Sequence, residues 1–209
     1  HDLRLVPQVL QKHRERRAHL VELRRLAKRS QQPRQVAIAL ARSGRLDLDD
    51  GNLQHGIIVA NKAAQAARAL GTRTLIVEAE AIVSELHREL GELQNALDAC
   101  DRALAVSSGG GVVPMRARAE ILRTRGTILR RMGRVPEAVE AHAEAIAIFK
   151  RTNAKRQEAR ARNALAYCMI VSERWEDAIA LAMSSVRIDL SIGGRFQIAK
   201  RSEERRVGK

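Results

Sequence analysis

One helical pattern returns four times along this chain, and its spacing leaves few folds open. Aligned on Gly51, Gly91, Gly133 and Glu173, the segments follow each other at 40, 42 and 40 residues. Five residues after each anchor stands a small residue (Gly56, Ala96, Ala138, Ala178), then a branched aliphatic one (Ile57, Leu97, Val139, Ile179). Twelve residues after it comes another small residue (Ala63, Ala103, Ala145, Ser185), followed by Ala64, Leu104, Ile146 and Val186. Seven residues before the anchor the position is again small: Gly44, Ser84, Gly126, Ala166. Offsets of five, six, twelve and thirteen lie on one stripe of a 3.6-residue helix. The earlier slot lies on a preceding helix, so each unit is a pair of antiparallel helices meeting through small side chains. A period of this length marks a stack of like supersecondary units, none of which buries its apolar face alone. The predicted fold class is all-α: a right-handed superhelical solenoid of antiparallel helix pairs with a period of about 40 residues.

Composition agrees with thin helical layers. Apolar residues make up 45% of the 209, yet aromatics only 2%, so Ala, Leu, Ile and Val must do the packing. No apolar run approaches the roughly 18 residues that would span a bilayer, and the N-terminus shows no signal-peptide pattern. Cys100 and Cys168 occupy slots otherwise held by small or apolar residues and read as buried, unbridged side chains. Together these features point to a cytoplasmic address.

Turn and stop signals place the elements. A helix over Val6–Ser30 lacks its pair, so residues 1–32 read as the second helix of a preceding repeat. Four pairs follow within 33–200: Arg34–Leu46 with a helix ending at Leu70, Thr74–Leu90 with Glu92–Val106, Met115–Met132 with Pro136–Lys150, and Lys155–Val171 with Trp175–Asp189. The Gly193-Gly194 step predicts a break, with the first helix of a fifth unit starting at Arg195. Residues 201–209, RSEERRVGK, resemble the translation of a sequencing adaptor and read as a scar. That segment carries four positive and two negative charges; without it the net charge falls from +14 to +12. The chain thus reads as a piece of a longer protein.

Paired helices with small residues at these slots, a Gly or its equivalent at the turn, and runs such as GRVPEAVEAHAEAIAIF resemble tetratricopeptide (TPR) repeats of the longer-helix kind. The stretch from Gly126 to Lys200 further resembles the C-terminal TPR arrays of large bacterial serine/threonine protein kinases. That resemblance implies a non-catalytic scaffold for protein–protein interaction, the regulatory or sensory part of a kinase or a related ATPase-containing signalling protein. Similar arrays also occur in bacterial transcription regulators. The chain itself has no Gly-rich phosphate loop, VAIK-type lysine, HRD or DFG segment.

Other chemistry finds little footing. Gly109-Gly110-Gly111 lacks the Lys-Ser/Thr ending and the preceding strand of a phosphate cradle and reads as an inter-repeat loop. His1, His13, His19, His55, His87 and His142 form no HExxH, and the cysteines form no CxxC, so no metal or other cofactor is expected. His142, between small residues, reads as a partly buried core residue. Asp98/Asp101 and Glu140/Glu144 read as solvated helix faces. No catalytic constellation is present in the sequence, and no enzyme activity is expected of it.

In TPR arrays the first helix of each pair lines a concave groove. Carried over by slot, that groove is lined by Ala41, Arg45 and Leu48, by Ala81, Glu85 and Arg88, by Arg123, Thr127 and Arg130, and by Asn163, Tyr167 and Ile170. Arg45, Arg88, Arg123, Thr127, Arg130, Asn163 and Tyr167 are the candidate partner contacts: arginines for carboxylate or phosphate, Tyr167 as an amphipathic anchor. The alternative of a basic groove for nucleic acid rests on the charge alone, since stacking aromatics and a reader motif are absent from the sequence. Uncapped ends predict self-association.

Overall fold

The computed structural model describes residues 32–108 and 113–207, with isolated positions 18, 21, 22, 25 and 29 before them; from 194 onward it describes backbone only. The predicted helix 6–30 and the Gly109–Gly111 loop therefore lie largely outside the described residues. Among these there is no strand. The eight helices they form are α1 (Pro33–Asp49), α2 (Leu53–Ala69), α3 (Arg73–Leu90), α4 (Leu93–Ser108), α5 (Met115–Arg131), α6 (Val135–Arg151), α7 (Lys155–Val171) and α8 (Trp175–Val207). They fall into two compact units, residues 1–113 and 114–209. In the first, α1 pairs with α2 and α3 with α4, while α3 also packs on both α1 and α2. In the second, α5 pairs with α6 and α7 with α8, and α7 packs on both α5 and α6. Each unit is thus two stacked hairpins, the arrangement of an all-α solenoid.

The turns explain the repeat anchors. Gly51, Gly91, Gly133 and Glu173 all adopt the left-handed conformation (φ 76°, 81°, 79° and 58°). In each case the next residue's N–H reaches back five residues: Asn52 to Asp47 (2.8 Å), Glu92 to His87, Arg134 to Leu129 and Arg174 to Met169 (each 2.9 Å). The anchor's own N–H returns three residues, as Gly51 to Leu48 at 3.2 Å. This double closure satisfies carbonyls that the helix end leaves without partners. Gly71 and Asn153 close the inter-hairpin turns the same way, with φ of 63° and 52°.

The small slots are cavities for specific neighbours. A Cβ at Gly44 would stand 3.1 Å from that of Ala60, and one at Gly126 only 2.7 Å from the His142 ring. The same two slots bring Ser84 Oγ to 3.0 Å from Cys100 Sγ. The position nine after the anchor, unrecognised in the sequence, is therefore the mate of the position seven before it. Gly56 serves the next layer: its missing Cβ makes room for Leu86 of α3, at 2.8 Å. Leu86, Ile82 and Val83 are buried with Ala60, Ala63 and Ala79, each larger side chain contributing about 1.5–3 kcal/mol.

Three sequence expectations fail. Helix α8 does not stop at Gly193-Gly194; it runs unbroken to Val207, so no fifth helix starts at Arg195. Glycine lowers helix propensity by about 1 kcal/mol but does not by itself end a helix; the glycine stops in this chain are left-handed, and Gly193 is not among the positive-φ residues. Ala41, expected to line a groove, is 2% exposed and belongs to the first unit's core. His142 is buried completely rather than partly, while both cysteines are buried and unbridged as expected.

Candidate interaction surface

In the first unit the predicted contact arginines are already engaged. Arg45 on α1 is ion-paired with Glu85 on α3, the equivalent slot one repeat later. Arg88 pairs with its neighbour Glu89 at 2.5 Å. Deeper in the same unit, Glu80 of α3, 1% exposed, receives Arg102 of α4 at 2.9 and 3.1 Å and is also paired with Arg68 of α2. This clamp ties three helices together. A cavity of about 760 Å³ lies beside Leu46, Asp47, Leu53 and His55. Its Asp47 Oδ2 sits 2.7 Å from His55 Nδ1, but the nearby Ser43 hydroxyl donates to its own helix at the Ala39 carbonyl, 2.8 Å.

The second unit brings its candidates closer together. On α5, Arg123 donates to Glu120 at 2.9 Å, and the Thr127 hydroxyl donates to the Arg123 carbonyl at 3.1 Å. The Arg130 guanidinium stands 5.6 Å from the centroid of the Tyr167 ring on α7, a cation–π distance. Tyr167 is nevertheless 59% exposed. It forms, with Asn163 and Ile170 of α7 and Trp175, Ile179 and Ala182 of α8, a cavity of about 410 Å³. Trp175, Ile179 and Ala182 were not picked out by slot, because the groove prediction used first helices only; the signal was Ile179 itself, an aliphatic repeat position. Thr127 is turned into its own helix, so it offers a partner little.

Charge around this surface is arranged by burial. His142, beneath Arg123 and Arg130, has its pKa lowered to about 4, first by burial and then by repulsion from the two arginines. Neither ring nitrogen has a hydrogen-bond partner, so the ring is a neutral filler. Burial pushes the Glu158 carboxyl up, but hydrogen bonds from Arg162 and Lys155 outweigh it and leave it below the usual range. Burial raises the Cys168 thiol, against the opposing charge of Arg130. Among the described residues no three His, Cys, Asp or Glu converge on a metal-sized point, and no helix is long and apolar enough to cross a membrane.

The sequence comparison points to the same kind of repeat. Residues 117–191 match the tetratricopeptide repeat family. No curated protein matches the chain in sequence. Among solved structures, MamA is similar at 18% identity and a TM-score of 0.61, over 84% of this chain and 89% of that one. BtubC (BKLC) from P. vanneervenii is similar at 15% identity and a TM-score of 0.61, over 88% and 92%. Nearly identical TPR-like repeats from Podosopora anserina give 13% and 0.63, over 88% and 96%. At these identities the likeness is one of fold: a TPR-like solenoid, the scaffold type on which protein partners commonly bind.

Proposed function

We propose that this TPR array holds a peptide segment of a protein partner on its second unit, with Tyr167 as anchor and Arg130 and Arg123 receiving an acidic or phosphorylated side chain. One observation carries the reading: a half-exposed tyrosine, steadied by Arg130, stands at the lip of an apolar cavity. An aromatic with a polar tip binds through its body at low entropic cost, and a guanidinium over its face keeps N–H donors free for a bidentate carboxylate or phosphate. Peptides selected from a random display library on the intact chain should lose binding when Arg123, Arg130 and Tyr167 are changed together to Ala. Equal recovery on the variant would remove this assignment.

The array is further read as the cytoplasmic regulatory part of a bacterial serine/threonine kinase or related ATPase-containing signalling protein, supported by the likeness of Gly126–Lys200 to such arrays. The reading frame upstream tests it. A kinase domain with its Gly-rich loop, HRD and DFG segments is the expected result; a DNA-binding domain there would favour a transcription regulator instead.

A further inference from the structure

Helix α8 carries an apolar stripe that the repeat does not require. Trp175, Ile179, Met183, Val186 and Leu190 are each between 56% and 70% exposed. At 100° per residue they fall within an arc of roughly 80°. Ile179 and Val186 occupy the repeat's seam slots, which a following helix would cover. Met183 and Leu190 do not. Their counterparts in the hairpins whose following helix lies in the same unit are Asn61 and Arg68 on α2, and Ala143 and Lys150 on α6, all exposed with α3 and α7 in place. Arg68 still reaches Glu80 of α3, so a fifth repeat seated on the α7–α8 cavity would touch the edge of the Leu190 slot, but it would leave Met183 in water and Leu190 largely so; something else must cover them.

We infer that the stripe is the contact between two copies of this chain, α8 lying antiparallel against α8. The spacing of Ile179, Met183, Val186 and Leu190 is four, three, four, the alternation of a coiled-coil seam, and it reads the same in both directions. A two-fold axis across its middle sets Ile179 against Leu190 of the second copy and Met183 against Val186 of the second copy, a self-complementary pattern as such axes demand. Five exposed side chains of roughly 100 Å² apiece would bury roughly 1,000 Å² over both copies, the size at which specific interfaces begin. The contact shares Trp175 and Ile179 with the Tyr167 cavity, but its central pair, Met183 and Val186, lies outside that cavity, and the inference does not depend on the peptide-binding reading.

Sedimentation equilibrium of the full chain over a micromolar to sub-millimolar series tests this. A dimer is expected, and Met183→Glu with Leu190→Glu should weaken it at least about a hundred-fold, since four charges, two from each copy, would enter the seam. Both positions face solvent in the single chain, so helicity should stay unchanged in that variant, and melting should match the parent's at concentrations where the parent is also monomeric. A mixture of Ile179→Cys copies with Leu190→Cys copies should cross-link efficiently, and Ile179→Cys copies alone poorly, since those two cysteines would stand about 16 Å apart along the axis. A monomer at every concentration overturns the inference. So does a dimer dissociated by Tyr167→Glu with Ile170→Glu but not by the α8 variant, which would place the contact on the α7–α8 cavity. Efficient cross-linking of Ile179→Cys copies to one another would also overturn it, because the pair would then be parallel.

Discussion

Acid should loosen the second unit before it touches any carboxylate there, and the cause is His142. The ring is 0% exposed, fills the space left by Gly126, and has no partner at either nitrogen. Its pKa in the fold is about 4 against 6.5 for the free side chain. Between those values the unfolded chain binds a proton that the folded chain refuses, so unfolding becomes easier as pH falls through 6.5. The expected loss is about 2 kcal/mol by about pH 5 and about 3 kcal/mol near pH 4, where the group stops contributing. Every other histidine lies in residues 1–113, and the only tryptophan, Trp175, lies in the second unit. Urea unfolding followed by Trp175 fluorescence therefore reports on one histidine. Replacing His142 with Leu, of similar volume, should raise stability at neutral pH by about 1–3 kcal/mol, by removing unsatisfied polar atoms, and should flatten the curve between pH 6.5 and 4.5. Parallel curves for the two proteins would refute the reasoning.

Other perturbations address other links. Gly126→Ala would push a Cβ to 2.7 Å from the His142 ring and should cost about 1–3 kcal/mol; adding His142→Ala, which reproduces the Ala166/Ala182 pairing of the fourth hairpin, should recover much of that in a double-mutant cycle of urea midpoints. Glu173 holds φ 58° where the other hairpins have glycine. Glu173→Gly should relieve strain and stabilise by up to about 1 kcal/mol, read as a higher urea midpoint. Glu80→Ala should destabilise the first unit by about 3 kcal/mol, because it leaves Arg68 and Arg102 facing an emptied buried site; hydrogen exchange of α2, α3 and α4 should rise together.

What repeats four times was legible, because each recurrence is an independent statement of the same packing rule. The anchors, the small slots and the fourth pair's first helix, Lys155–Val171, all follow from that. What was lost is what needs a second coordinate. Ala60, Cys100 and His142 look unrelated until they are seen to be mates of Gly44, Ser84 and Gly126, with the bulkiest, His142, fitting only because its mate has no Cβ. Arg45 and Glu85 were both assigned to the groove, yet their 40-residue separation equals the repeat period, which places them beside each other and neutralises both. Gly193-Gly194 misled because glycine only weakens a helix, whereas the stop at the repeat anchors comes from a residue turned left-handed, as Glu173 is without being glycine. The same logic separates fold from function here. Residues that obey the repeat hold the hairpins together, so the chemistry belongs to those that break it: Tyr167 where other repeats carry Arg45, Glu85 and Thr127, and Met183 and Leu190 where the covered hairpins keep Asn61, Arg68, Ala143 and Lys150. Exposed apolar side chains at positions the fold leaves in water cost solubility and gain nothing within one chain. All of these departures fall in the fourth hairpin, so the search for a partner, of either kind, begins there.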